Sequence, residues 1–294
     1  MSHRTPEPEV HISEELVHRL LRAQHPDLAS LPVRRLDTGW DNTLFRLGDR
    51  LMARMPHRQV AVTNLEREQR WLEHLAPMLP LPVPTPVRIG VPGEGYPWPW
   101  SVVPWFAGSP ADASPPDPGQ ARVLARFLRA LHRPPPADAP RNPTRGVPLS
   151  VRRQAVESRL QILHDLPSQE VVVPLAVHRA WAQALAAPGS EADRWLHGDL
   201  HARNIVVTHG LLSAVIDWGD VCAGDPAVDL ASFWMLFDDP AVRRVGLADY
   251  GADEALLARA RGWVVFYAAM LGTLADDPLH QRTGRTLLRR LSED

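Results

Sequence analysis

The chain of 294 residues contains no lysine; all 32 of its basic residues are arginine. That absence excludes chemistry built on a lysine amine. Schiff-base aldolases and pyridoxal phosphate enzymes are ruled out, as is a phosphate loop ending in Gly-Lys-Ser or Gly-Lys-Thr. GC-rich coding, which also favours the abundant Arg, Ala, Pro and Gly, accounts for the bias without selection against lysine chemistry. A single cysteine, Cys222, excludes an intrachain disulfide and a thiolate metal cage. The longest apolar stretch, Trp263 to Ala275, has about 13 residues where a bilayer needs roughly 20. The segment Met1 to Val10 is polar, carries two prolines and does not read as a signal peptide. A net charge of −2 leaves no electrostatic footprint for nucleic acid. Together these features read as a soluble, cytoplasmic protein. No nucleic-acid or membrane partner is indicated, and no obligate protein partner.

The length suggests two domains at roughly 150 residues each. Periodicity predicts a helix over Ile12–Ala23, with Ser13 as its N-cap. Short β-type runs follow at Val33–Asp37, Thr43–Leu47 and Leu51–Met55. The connector Gly48-Asp49-Arg50 reads as a hairpin turn. A helix is predicted over Thr63–Leu75, then strands over Val87–Val91 and Trp100–Phe106. Beyond residue 118 the pattern turns helical, with an apolar stripe at Val123, Leu124, Phe127, Leu128 and Leu131. Pro134 to Pro148 reads as an ordered surface loop. Further helices are predicted over Val151–Leu163, Pro174–Ala186 and from Asp225 onward. Two β-type runs, Ile205–Val207 and Ala214–Ile216, interrupt them. The arrangement is α+β, divided into residues 1–105 and 106–294.

The segment with the clearest chemistry is Leu196-His197-Gly198-Asp199-Leu200-His201-Ala202-Arg203-Asn204, followed by Ile216-Asp217-Trp218-Gly219-Asp220. Asp199 and Asn204 share a tight loop that enters one β-run, and Asp217 closes the next. Three oxygen-bearing side chains at one end of a two-stranded ribbon suit Mg²⁺, a hard cation that takes few protein ligands beside substrate phosphates. One carboxylate remains to orient a nucleophile.

These residues resemble the catalytic loop and metal aspartate of protein-kinase-like enzymes. The fuller pattern, with Gly224-Asp225-Pro226-Ala227-Val228-Asp229-Leu230-Ala231, is similar to the aminoglycoside phosphotransferase and choline kinase-like family. The resemblance implies a bilobal protein-kinase-like fold, with a small β-rich N-terminal nucleotide-binding lobe and a larger helical lobe for catalysis and acceptor binding. It implies transfer of the γ-phosphoryl group of ATP or GTP to a hydroxyl of a small molecule, aminoglycoside-like or another metabolite or antibiotic. Asp199 matches the catalytic aspartate, and Asn204 and Asp217 match the Mg²⁺ ligands. Gly39, Trp40, Asp41 and Asn42 match the loop over the phosphates. Val103, Pro104, Trp105 and Phe106 match the segment that reads adenine. Asp229 matches a structural brace of the catalytic loop, with His197 and Asp220 as supports.

Three departures qualify the match. The phosphate loop holds one glycine, Gly39, rather than three. The metal motif reads Asp217-Trp218-Gly219, an aromatic exchange. The usual strand lysine is replaced by Arg54, with Glu68 as its acidic partner and Glu66 as the fallback; a guanidinium can bind phosphate bidentately. Rival readings remain at this level. A kinase-fold nucleotide-binding or regulatory protein with weak catalysis fits the poor glycine loop. A transition-metal site could use His197 and His201. Trp98, Trp100 and Trp105 read as packing residues, and Cys222 as a small buried one. Acceptor contacts are expected from Arg145 to Asp165 and from the helices after Asp225. From His197 to Asp294 there are 14 acidic residues against 9 arginines, a balance that would suit a cationic acceptor or simply reflect metal-site and capping carboxylates.

Overall fold

A computed structural model describes residues 7–165, 173–274 and 278–293. Met1 to Pro6 of the N-terminal segment and Ala275 of the longest apolar stretch lie outside the described residues. The chain divides into two compact units. One runs up to Ala107 and also includes Ala214–Gly219; the other comprises Gly108–Ser213 and the residues from Asp220 onward. The metal-motif residues 214–219 therefore belong with the N-terminal unit, although the sequence division assigns them to the C-terminal part.

The N-terminal unit opens with helix α1, Glu14–Gln24, whose Leu16 N–H donates to the Ser13 hydroxyl at 3.2 Å. An antiparallel sheet follows, built from β1 (Val33–Thr38), β2 (Asn42–Leu47), β3 (Leu51–Pro56), β4 (Arg88–Gly90) and β5 (Trp100–Pro104). Its order is β1-β2-β3-β5-β4. The register pairs Phe45 with Ala53 and Leu47 with Leu51. Alternation then sends Phe45, Leu47, Ala53 and Met55 into the core, against Leu16, Val17, Leu20 and Trp100. A Cβ on Gly90 would lie 2.0 Å from the Trp100 ring, so only glycine fits beside that indole. Helix α2, Gln59–Leu75, begins four residues before its predicted start. Its own sequence offers no cap. The Glu9 carboxylate accepts the Gln59 N–H at 3.0 Å instead, a long-range cap that no local pattern reveals.

The second unit is helical around α9 (Glu254–Gly272). Helices α4 (Leu149–His164), α5 (Leu175–Ala186), α6 (Ala227–Leu230) and α10 (Pro278–Ser292) pack against it. Its buried face, Trp263 to Ala269, is the long apolar stretch of the sequence, used here as core. Among the described residues no helix is long and apolar enough to cross a membrane. Helices α3 (Gln120–Leu131) and α8 (Pro240–Tyr250) pack together, and α7 (Ser232–Leu236) lies beside α10. Three very short strands escape the sequence reading: β6 (Ser109–Pro110), β7 (Arg194–Leu196) and β10 (Cys222–Gly224). β6 joins β8 (Ile205–Thr208) and β9 (Leu211–Val215) in one sheet, and β7 pairs with β10. The proline-rich loop is tied to this ladder: Ala223 N–H donates to Pro140 O, and Asp225 N–H to Gly146 O, both at 2.8 Å.

Candidate active site

In the N-terminal unit, Arg54 on β3 points to Glu68 on α2. Its Nη1 donates to Glu68 Oε1, and its Nη2 lies 3.4 Å from Asp217 Oδ1. Arg54 and Glu68 are buried, while the Asp217 side chain is 59% exposed. Burial pushes the Glu68 carboxyl up, against the pull of Arg54. Burial also opposes the charge on Arg54, but Glu68 and Asp217 outweigh it and hold the guanidinium charged. Glu66, the fallback partner, is exposed.

Asp217 does not end its strand as the spacing suggests. β9 stops at Val215, and Asp217 adopts a left-handed conformation with φ +62°. Such a residue persists only where its surroundings hold it. Here Trp218 Nε1 donates to Val215 O at 3.0 Å, and Arg67 Nη1 to Gly219 O at 3.1 Å.

The Gly39–Asn42 loop is closed by Gly39 N–H donating to Asn42 O at 2.9 Å. Arg58 Nη2 donates to Asp41 Oδ1 at 2.6 Å and to the Trp40 carbonyl at 3.2 Å. The Arg58 ties engage the Trp40 carbonyl and the Asp41 carboxylate. The N–H groups of Trp40 and Asp41 have no partner among the described residues. A Cβ on Gly39 would meet only an ordinary contact, so the glycine is not sterically required. In the segment expected to read adenine, Pro104 has no N–H and the Trp105 N–H already donates to Arg50 O at 2.8 Å. The Phe106 N–H, with no partner among the described residues, is the donor left in this turn.

In the second unit, the loop after β7 is clamped by Asp229, which is completely buried. Its two oxygens accept the N–H of His197 at 2.7 Å and of Gly198 at 2.9 Å. His132 Nε2 lies 3.2 Å from the same carboxylate. Gly198 sits at φ +86°, and a Cβ there would lie 2.6 Å from Asp220 O, so the loop needs glycine at this point. His197 is buried and its Nδ1 accepts the Asp199 N–H, while His201 Nδ1 accepts the Arg203 N–H. Both Nδ1 atoms thus face backbone amides. No group of three His, Cys, Asp or Glu side chains among the described residues could hold a metal.

Asp199, the expected catalytic aspartate, follows Gly198 on this loop. Burial disfavours its charge, but Arg145 and then His201 outweigh burial and hold the carboxyl far below the usual aspartate range. Arg145 Nη2 lies 2.7 Å from Asp199 Oδ1, yet that oxygen accepts no aligned hydrogen bond. Asn204 Nδ2 donates to the Asp199 carbonyl at 2.9 Å, which leaves the Asn204 amide oxygen without a donor among the described residues.

Sequence reasoning did not single out Arg145 or Asn142 as site residues. Asn142 Nδ2 donates to Asp220 Oδ1 at 2.7 Å, and Asn142 Oδ1 accepts the Arg145 N–H at 3.1 Å. One side chain thereby fixes both the support residue Asp220 and the arginine that meets Asp199. The only available signal was a polar island, Arg141 to Gly146, inside a proline-rich loop. Trp98 and Trp100 are buried packing residues, and Trp105 lies under the Arg46 guanidinium at 4.2 Å.

Comparison with known proteins bears on the family and the fold. The model of the phosphotransferase enzyme family (APH) matches residues 32–263. An aminoglycoside phosphotransferase of the APH(2″) type, solved with GDP and kanamycin, is 20% identical, with a TM-score of 0.65 over 94% of this chain and 98% of that one. The macrolide 2′-phosphotransferase MphH from Brachybacterium faecium is 19% identical, with a TM-score of 0.59 over 94% and 97%. An APH(2″) enzyme with streptomycin and ATP is 16% identical, with a TM-score of 0.57 over 94% and 99%. No curated protein matches the sequence. The structural likenesses establish a shared α+β, protein-kinase-like fold. With the family model spanning most of its length, the chain belongs to the phosphotransferase enzyme family.

Proposed function

We propose that this protein transfers the γ-phosphoryl group of ATP or GTP to a hydroxyl of a small molecule. One observation carries the reading: Asp199 is held ionised by Arg145 on a clamped loop, with its side chain 21% exposed. A carboxylate so placed can accept a hydrogen bond from an alcohol and orient the hydroxyl oxygen toward phosphorus. Because Arg145 makes Asp199 a weak base, its part is orientation, with proton transfer completed late. That suits phosphoryl transfer, whose loose transition state depends on positioning and charge neutralisation.

The remaining residues fall into supporting roles. The Phe106 N–H would meet the adenine or guanine edge. The N–H groups of Trp40 and Asp41 would face the phosphates, and Arg54 would bind them with Glu68 as its anchor. The donor set also fits Mg²⁺: Asn204 presents an amide oxygen with no donor, Asp217 an exposed carboxylate, and both are hard oxygen ligands. These two residues would hold the ion. When bound, it neutralises the phosphate oxygens and so lowers the cost of the charge that develops on transfer. The nucleotide role falls to residues 1–105 together with Ala214–Gly219, and the acceptor role to the rest. Among the neighbours, one was solved with GDP and another with ATP, which supports a nucleotide co-substrate.

Asp199→Ala tests the assignment. Its expected effect is a kcat loss of about 10²–10⁴-fold, with nucleotide affinity retained. Steady-state rates of nucleoside diphosphate release with a competent acceptor measure this. Equal product yield from variant and wild type would remove Asp199 from the mechanism.

A further inference from the structure

The residues around Asp199 also bear on the acceptor. Three arginines of the same unit form a cluster: Arg145 pairs with Asp199, and Arg152 feels the charges of both Arg145 and Arg159. Arg152 and Arg159 lie seven residues apart on α4, two turns along one face. The Arg152 guanidinium sits 5.0 Å over the Phe266 ring. The Arg145 guanidinium sits 5.5 Å over Tyr267 and 5.9 Å over Phe266. Two neighbouring aromatic residues of α9 thus form the floor beneath Arg145 and Arg152. Arg159 lies two turns further along α4, where it donates only to its own helix, at Ala155 O.

The charges in this cluster do not balance. Arg145 has Asp199 as its ion-pair partner. Arg152 and Arg159 form no ion pair with any described residue. The Nε atoms of both Arg145 and Arg152 are buried without a hydrogen-bond partner. Burial first, then the positive charges of Arg145 and Arg159, lower the basicity of Arg152. Three neighbouring guanidiniums that share one carboxylate repel one another, and an anion binding there would relieve that repulsion.

The acidic excess of the C-terminal sequence does not supply the missing charge. Asp225 is paired with Arg259 at 2.7 Å, Asp229 clamps the loop, and Asp238 is bound by Arg289 and Arg290. Asp239 and Asp253 cap helices. These five carboxylates are occupied within the fold.

We propose that Arg145, Arg152 and Arg159 form an anion subsite beside Asp199, so that the acceptor is a small alcohol carrying a carboxylate or phosphate group. This rests on the phosphotransferase reading. It also separates this chain from neighbours solved with kanamycin or streptomycin, which are cationic ligands. The anion would bridge the Arg152 and Arg159 guanidiniums over the aromatic floor. Its hydroxyl would then be presented to the Asp199 carboxylate.

The first experiment is calorimetric titration with inorganic phosphate and, separately, with acetate. Mg²⁺ and a saturating nucleoside diphosphate keep the nucleotide site filled. Wild type should bind at least one of the two anions. Arg152→Gln and Arg159→Gln should weaken that binding tenfold or more, and Arg153→Gln, on another face of α4, should leave it unchanged. The stronger of the two anions identifies the acceptor group. Equal binding by all four proteins, or no binding by wild type, overturns the proposal. The second experiment measures turnover of matched alcohols bearing an anionic, a neutral or an amino substituent. The anionic members should be preferred by tenfold or more, and preference for the amino members overturns the proposal. If no alcohol is phosphorylated while the anion titration behaves as expected, the phosphotransferase reading fails and the anion subsite stands.

Discussion

Arg54→Ala lowers the unfolding free energy by about 3–5 kcal/mol, because it strands the buried Glu68 carboxylate without its cation. Glu68 already has one buried oxygen with no partner, so little remains to absorb the loss. The same change reduces kcat/KM for nucleotide by roughly ten- to a hundredfold, the range of one lost charge-assisted hydrogen-bonding group. Two further variants separate these effects. Arg54→Met with Glu68→Gln removes both charges and recovers most of the stability, while nucleotide use stays low. Arg54→Lys retains part of both, since an ammonium keeps the charge but loses the bidentate fork. Chemical denaturation and nucleotide kinetics on the set give the answer. Wild-type kinetics in Arg54→Ala would mean that another arginine meets the phosphates.

Asp229→Asn has the second large expected effect. Asp229 is fully buried and accepts two backbone N–H groups through separate oxygens. An amide there presents an NH₂ group to one of those donors. Each charge-assisted bond is worth about 1.5–3 kcal/mol, so losing one and weakening the other costs about 3 kcal/mol or more. Asp199 stands one residue beyond Gly198. A displacement of about 1 Å at that point costs on the order of a hundredfold in kcat. Denaturation curves and kcat test this together. An intact kcat in Asp229→Asn would show that Tyr267, which donates to Gly198 O at 3.3 Å, is sufficient to hold the loop.

The strands and helices that the sequence revealed are the long, periodic ones. In β2 the burial of Thr43, Phe45 and Leu47 shows as alternation, and α3 shows its stripe from Leu124 to Leu131. β6, β7 and β10 hold two or three residues each, too few to display any period, and they exist because distant partners complete their hydrogen bonds. The early start of α2 was hidden for a related reason: its cap, Glu9, lies 50 residues away. At the site, Asp199, Asn204 and Asp217 stood out through spacing. Arg145 did not, because its meeting with Asp199 is made by Asn142 and by the course of a loop that has no repeat to read. The left-handed conformation of Asp217 was equally silent, since the sequence places no glycine there to signal it.

The β7–β10 ladder has a consequence for the dynamics of the protein. Its last pairing sets Cys222, the lone cysteine of the chain, opposite Leu196, the residue that leads into the loop clamped by Asp229. The thiol is wholly buried. A thiol-reactive probe therefore reaches it only when this ladder parts, and the modification rate counts those openings. The protein carries an internal clock for local unfolding next to Asp199, with no second thiol to confuse the reading.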